Sequence, residues 1–280
     1  MNASESLKNA FIGLLMGIFM MMPGASGATI SVVFGIYERL IRDISKLTRY
    51  LREDFWFLLT LGIGGVAGVL LCAKGLDFLI DEYEIPLMFF FGALILVQIP
   101  DIWKQGDDRE RLTAYNILGI IVGFAIMMVV LYFGLNMPEQ TESPGPVLMF
   151  LTGMLYAVCA VSPGISGSTL LLALGLFTGL VDSLSDIHLS TFLPLVLGAV
   201  VGVLLFAKIV DRCLTDHKKS TFCVIVGLTA GSVVTVITEA ALKMDGDDGT
   251  LGCVLGIILG LAAGYCIHML TAKLSDAGKQ

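Results

Sequence analysis

The sequence predicts an all-α polytopic membrane protein made of two inverted-topology repeats, with six transmembrane helices and two re-entrant helical hairpins. Three observations predict it: long apolar blocks, a glycine-serine motif that occurs twice, and loop charges that change sides between the two halves.

The apolar blocks come first. Of 280 residues, 56% are hydrophobic and 15% charged, against about 25% charged in an ordinary soluble domain. The apolar residues collect in blocks such as 55–73, 115–133 and 251–270. Each fits the roughly 17–25 residues that a bilayer-spanning helix needs. One multi-pass domain in the cell membrane accounts for the whole length. The formal net charge of −7, with no basic stripe beyond short loops, excludes nucleic acid as a partner. The cysteines (Cys72, Cys159, Cys213, Cys223, Cys253 and Cys266) form no CxxC pair and fall mostly in apolar segments. They read as small buried hydrophobes. Residues 7–22 are apolar but continue through Pro23 without an A-x-A-type site, so no cleavable signal is expected.

The repeat follows. Pro23-Gly24-Ala25-Ser26-Gly27-Ala28-Thr29 recurs as Pro163-Gly164-Ile165-Ser166-Gly167-Ser168-Thr169, and the match continues at Gly35 with Gly175 and Leu40 with Leu180. Gly68-Val69-Leu70-Leu71-Cys72-Ala73-Lys74 matches Gly202-Val203-Leu204-Leu205-Phe206-Ala207-Lys208, and Asp77 matches Asp211. Further on, Gly92 pairs with Gly227, and Gly119/Gly123 with Gly256/Gly260. The first repeat is read as residues 1–135, with a hairpin at 7–41 and spans at about 55–73, 86–100 and 115–133. The second is read as 136–280, with a hairpin at 147–181 and spans at about 192–207, 222–238 and 251–270.

Loop charge orients the halves, because Lys and Arg favour the cytoplasmic side. Arg39, Arg42, Lys46, Arg49 and Arg52 follow the first motif; the matching stretch 179–191 has no Lys or Arg. The next loop holds Lys74 in the first half but Lys208, Arg212, Lys218 and Lys219 in the second. Lys104, Arg109 and Arg111 are then set against Lys243 alone. The alternation is the mark of inverted repeats. It requires each motif segment to return to the face it entered from, with both termini cytoplasmic. Length agrees: residues 7–41 as one helix would run roughly 50 Å, too long for a core of about 30 Å, and Pro23-Gly24 interrupts them midway.

Two symmetric backbone breaks at membrane depth point to a binding site at the repeat interface, because non-helical backbone there must be satisfied by protein or a polar cavity. The candidate substrate-binding residues are Pro23, Gly24, Ser26, Gly27 and Thr29 of the first motif, and Pro163, Gly164, Ser166, Gly167, Ser168 and Thr169 of the second. Glycine lets backbone approach a ligand closely. Serine and threonine supply hydroxyls, and the outgoing arm opens with free amides that favour an anion, phosphate above all. The bland alternative is that small residues serve only close helix packing; two symmetric copies favour the ligand. Glu38, Arg39, Lys74 and Lys208 are candidate entrance or gating residues, with snorkelling lysines and a helix-end pair as the competing reading. Glu239 and His268 lie near span ends, where exposure is expected. Gln98 and Ser232 occupy comparable places on the third elements and are candidates to line a cavity. Met20-Met21-Met22 reads as adaptable packing rather than a metal site. No catalytic set, metal site or cofactor is expected, and ion coupling and self-association are left open.

At the two motifs the chain resembles a prokaryotic membrane family long known as domain of unknown function 368, the PopT type of polyprenyl-phosphate transporters. The resemblance rests on Pro23–Thr29 followed by Gly35-Ile36-Tyr37-Glu38-Arg39-Leu40-Ile41, and on Pro163–Ser168 followed by Leu170–Leu176. It implies return of undecaprenyl phosphate or a similar polyprenyl phosphate between leaflets for reuse in envelope assembly. Ser26, Thr29, Ser166 and Ser168 would then contact the phosphate. Two positions depart from the pattern: Met20 stands where members often have Asp, and Ala28 where Gly is common. The rivals are a membrane lipid-pyrophosphate phosphatase and a transporter or channel for a small soluble anion. The phosphatase motif places an Arg in its Pro-Gly-x-Ser loop, whereas here Gly167 and Ser168 follow Ser166.

Overall fold

The computed structural model describes residues 3–21, 26–106, 112–136, 145–165, 167, 170–171, 174, 176, 189–244 and 250–277, apart from the side chains of 3–4, 21, 47–48, 51, 72–82, 189 and 270–277. Among the described residues all regular structure is helical. In chain order the helices are α1 (Ala3–Met21), α2 (Gly27–Val33), α3 (Tyr37–Ser45), α4 (Leu47–Glu53), α5 (Phe55–Gln105), α6 (Ala114–Asn136), α7 (Pro146–Val161), α8 (Leu189–Asp216), α9 (Lys218–Leu242) and α10 (Thr250–Ala277).

Five stretches among the described residues are long and apolar enough to cross a membrane: Tyr83–Gln105, Ala114–Asn136, Ser190–Asp216, Lys218–Leu242 and Thr250–Met269. Phe55–Leu71 and Pro146–Val161 are shorter apolar stretches among the described side chains. Large apolar side chains such as Ile121, Leu197 and Ile258 face outward on α6, α8 and α10. A surface like that belongs in lipid. The chain is an all-helical polytopic membrane protein.

One boundary differs from the sequence reading. The first span was expected to end at 73, yet α5 runs on helically to Tyr83, where φ −131 and ψ 31 break it. Pro86 follows three residues later; its ring clashes with the carbonyl four residues back and permits no unbroken helix there. The part of the expected hairpin 7–41 that follows the first motif holds two helices, α2 and the start of α3. Gly35 at φ 70 separates α2 from α3, a backbone conformation that costs glycine little. Phe34 N–H donates to Ile30 O at 3.0 Å and Ile36 N–H to Ser31 O at 2.9 Å, closing the helix end. The matching bonds occur after the second motif, Leu174 N–H to Leu170 O at 3.1 Å and Leu176 N–H to Leu171 O at 2.8 Å.

Packing between the long helices is backbone on backbone. A methyl group added at Gly13 or Gly17 of α1 would overlap the carbonyls of Leu61 and Gly65 on α5, and one at Gly64 would overlap Ala10. In the second half a methyl at Gly153 of α7 would overlap Leu195 of α8, and one at Gly198 would overlap Phe150. The second arm of α5 then packs on α10 through Gly256 and Gly260 against Pro86 and Phe90. Helix α6 packs on α9 through Gly123 against Val224 and Gly227 against Ile120. Without a hydrophobic drive between helices in lipid, close van der Waals approach is what holds them. In this register Ala93 meets Gly260 as Gly227 meets Gly123, one residue from the Gly92–Gly227 pairing read from sequence. Helix α9 is buried over most of its length, which puts it beside the motif segments.

Candidate functional site

Helix α1 stops at Met21 and α2 begins at Gly27; α7 stops at Val161. Helix α2 packs back against α1, with Gly27 close to the Met16 carbonyl and the Met20 side chain. Gly167 sits in the same way against Tyr156 and Cys159 of α7.

The segments that follow these breaks meet. Ser26 is extended (φ −130, ψ 126) at the N-cap of α2 and makes no cap hydrogen bond with its side chain. Its hydroxyl instead donates to Ser162 O at 3.3 Å. Thr29 Oγ1 accepts the Gly164 N–H at 2.9 Å, and Tyr37 donates its hydroxyl to Val161 O at 3.0 Å. Ser26, Thr29, Tyr37 and Ser162 are all buried. Gly164 lies at φ 83 with the Thr229 backbone against it. A Cβ there would collide, so that position needs glycine twice over. First-motif hydroxyls thus bind second-motif backbone in a setting from which water is excluded, where such bonds are strong and an unpaired partner is costly.

Beside this junction lies a cavity of about 670 Å³. Ser162, Pro163 and Tyr37 form its inner end; Phe206, Ile209 and Val210 of α8 and Val224, Ile225 and Leu228 of α9 form its walls. Cys213, His217, Ser220 and Thr221 form its other end. Tyr115 of α6 and Ile209 of α8, both in its lining, are 80% and 57% exposed, so the cavity reaches the surface beside them. Its lining is apolar except at its ends.

These details sit within a family resemblance that covers most of the chain. Residues 16–250 match the family model described as VCA0040-like, undecaprenyl phosphate translocase-like. The chain belongs to this family. It is 31% identical over 240 residues to a polyprenyl-phosphate transporter of Staphylococcus aureus, covering 81% of this chain and 85% of that one. It is 27% identical over 237 residues to a polyprenyl-phosphate transporter of Vibrio cholerae, covering 79% and 74%. No solved structure matches. The family is one of transporters, not enzymes, and the phosphatase alternative falls away with that.

Of the sequence-predicted site, Ser26, Gly27, Thr29, Pro163 and Gly164 come together. Gly167 lies against α7. Pro23, Gly24, Ser166, Ser168 and Thr169 are outside the described residues, as is the side chain of Lys74. Glu38 pairs with Lys218 of α9 at 2.7 Å. Arg39 holds both oxygens of Asp54, at 2.5 and 3.3 Å, and stacks over the Phe57 ring at 4.1 Å. Lys208 is exposed on α8, next to Ile209 at the cavity mouth. Gln98 and Ser232 are buried between helices, donating to Gly264 O and Thr229 O. His268 is not simply exposed: it lies 2.6 Å from Asp101, and Glu239 is half-buried. Among the described residues no three His, Cys, Asp or Glu side chains gather as metal ligands.

Sequence reasoning missed Ser162, Tyr37 and Thr229, which complete the junction. Ser162 directly precedes the second motif, a signal that was available; the other two are brought in by tertiary packing. It also missed a charged cluster on α3. Asp43 is buried there beside Arg42. Burial pushes its carboxyl above the usual carboxylate range, while the Arg39 hydrogen bond holds Asp54 below it.

Proposed function

We propose that this chain carries a polyprenyl phosphate, such as undecaprenyl phosphate, across the cell membrane for reuse, with the phosphate held between the two motif segments. The observation that carries the reading is the Ser26–Ser162 and Thr29–Gly164 junction beside an apolar cavity that reaches the surface at Tyr115 and Ile209. A lipid phosphate makes two unlike demands. Its head needs donors in a dry setting, and its tail needs an apolar path to the bilayer. The Ser26 hydroxyl and the Gly164 N–H are the donors that a phosphate entering between the segments would recruit. The walls of α8 and α9 and the opening beside Tyr115 suit a prenyl chain. A soluble anion has no use for such an opening.

In this reading residues 1–135 and 136–280 are inverted repeats, and the segments 7–41 and 147–181 are re-entrant hairpins entering from opposite faces. Both termini are cytoplasmic. The paired glycine contacts of α1 with α5 and of α7 with α8, and the matching turns after each motif, support the repeat. Alternate access follows when one repeat rocks against the other about the junction. Glu38–Lys218 joins α3 to α9 across the halves and is a candidate gate on the cytoplasmic face.

The test uses the full chain in proteoliposomes with a fluorescent polyprenyl phosphate whose leaflet is read by a membrane-impermeant quencher. Ser26→Ala with Ser166→Ala should remove transport while the protein stays folded, because each hydrogen bond to a charged phosphate is worth about 1.5–3 kcal/mol. Undiminished transport by the folded double variant would remove the phosphate from these hydroxyls.

A further inference from the structure

Asp43 is fully buried at 0% exposure, on a nine-residue helix that carries four charged residues. Its Oδ1 accepts from Arg42 Nε at 3.1 Å and Nη2 at 2.9 Å. Its Oδ2 is buried with no hydrogen-bond partner. The same Arg42 Nη2 donates to Asp54 Oδ2 at 3.1 Å, and Arg39 takes both Asp54 oxygens. Two carboxyl groups therefore flank one guanidinium, Arg42 Nη2 donating to Asp43 Oδ1 on one side and Asp54 Oδ2 on the other. An ionised carboxylate with one oxygen orphaned in dry protein carries a heavy desolvation cost. Two adjacent carboxylates resist ionising together. Asp54 has two guanidinium partners and Asp43 shares one, so the proton belongs on Asp43.

We infer that Asp43 and Asp54 form a proton-binding pair that holds one proton, on Asp43, and that this proton keeps α3 clasped to α8. The clasp is two and three residues further along the chain from Asp43. Ser45 Oγ donates to Asp211 Oδ2 at 2.9 Å, and Lys46 Nζ lies 3.2 Å from the same oxygen. Charged groups face the pair from every element packed around it. Helix α3 and the residue after it contribute Glu38, Arg39, Arg42 and Lys46. Helix α4 places Tyr50 under Arg42; Arg49 nearby pairs with Glu53. The start of α5 brings Asp54, α8 brings Asp211, and α9 brings Lys218 to Glu38. Helix α1 adds Glu5 and Lys8, which line a cleft with Arg39 and Asp54. Loss of the proton adds a negative charge next to Asp54 and across the seam from Asp211. It draws Arg42 from Asp54 and weakens the hold of α3 on α8. A cleft of about 510 Å³ lined by Arg39, Arg42, Asp54 and Asp211 brings water to the Asp54 side of the pair, while Asp43 stays out of its lining.

The proton site stands on this geometry alone; its effect on transport rests on the function proposed above. Infrared titration of the full chain in lipid nanodiscs reads the site directly. The wild type should show the carbonyl stretch of a protonated carboxyl group that disappears on alkaline titration, with a midpoint above the usual carboxylate range. Asp43→Asn should lack it, and Asp43→Glu should keep it at a shifted frequency. Absence of the band in the wild type, or its survival in Asp43→Asn, overturns the site. Should Asp43→Asn not fold, Asp54→Asn decides the same question, since removing the neighbouring charge should shift the midpoint by at least half a pH unit; an unmoved midpoint overturns the pair. Transport of the fluorescent polyprenyl phosphate is then measured against pH. The wild-type profile should turn at the infrared midpoint, and Asp43→Asn should be flat. A variant profile that follows the wild type overturns the clasp. A wild type that carries no polyprenyl phosphate at any pH refutes the transport reading and leaves the infrared result to judge the proton site.

Discussion

Gly35 ends α2, and the chain goes on into α3 and α4 with Arg39, Arg42, Lys46, Arg49 and Arg52. After the second motif the matching bonds join Leu174 to Leu170 and Leu176 to Leu171, yet 177–188 carries no Lys or Arg. The comparison separates two kinds of information in one chain. Small residues and backbone bonds, which both halves carry, shape the junction. Charge, which only the first motif is followed by, is what the proposed topology uses to set that segment towards the cytoplasm. Shape is repeated and sidedness is not.

The largest expected effect tests the repeated feature. Gly13→Leu and Gly153→Leu stand at matching places, each facing a carbonyl of the neighbouring helix, Leu61 or Leu195. A leucine at either must push apart a pair of helices that touch backbone to backbone. Overpacking of that kind costs about 1–3 kcal/mol in a core that can adjust, and more where carbonyls are the obstacle. Both variants should lose about 3 kcal/mol of stability or more, at the upper end of that range, and by similar amounts. Thermal unfolding in detergent measures it. A large loss in one half beside a negligible loss in the other would break the equivalence.

Thr29→Val comes next and tests the junction itself. It keeps the volume and removes the acceptor for the Gly164 N–H. A buried amide left unpaired costs roughly 1–3 kcal/mol, and Gly164 is pinned at φ 83 against Thr229, so it has little room to find another partner. The expected result is a stability loss in that range with transport reduced about tenfold to a hundredfold. A variant as stable as the wild type would mean that the bond between the segments contributes nothing.

Much of this was legible in the sequence, for reasons that also explain the rest. Helix positions follow from apolar blocks, a local property of residue type, whereas the packing roles of Gly13, Gly17, Gly64, Gly153 and Gly198 were not read from sequence. The motif pairing led to Ser26, Thr29 and Gly164, since a repeated break at membrane depth needs a partner. Gly35 was matched to Gly175 but not read as a turn; a single glycine between apolar residues does not announce a positive φ. The bend at Tyr83 likewise shows only once Pro86 is set in an otherwise unbroken helix. Asp43 was beyond reach. It stands among Arg39, Arg42 and Lys46 and looks like a member of a solvated charged loop. Its burial comes from α8, distant in sequence, docking on α3.

The smallest effect concerns the charge that the second half lacks, and its sign is specific. The Arg39 hydrogen bond holds Asp54 below the usual carboxylate range, so the folded chain binds fewer protons there than the unfolded one. That contribution is whole above the ordinary carboxylate value and is lost as pH falls through the lowered one. Burial raises Asp43, which works the other way: its contribution is whole below the ordinary value and is lost as pH rises through the raised one. Asp54→Asn should therefore cost stability at neutral pH, and the loss should shrink on acidification until variant and wild type converge. Asp54 is 19% exposed and its partner Arg39 44%. Solvent screening keeps the cost to about 0.5–1 kcal/mol. Asp43→Asn should leave the acid limb alone and flatten the alkaline one. Melting curves of the full chain across pH distinguish the two limbs. An Asp54→Asn variant that tracks the wild type into acid would show that the charges on α3 mark a face of the membrane without stabilising the fold that carries them.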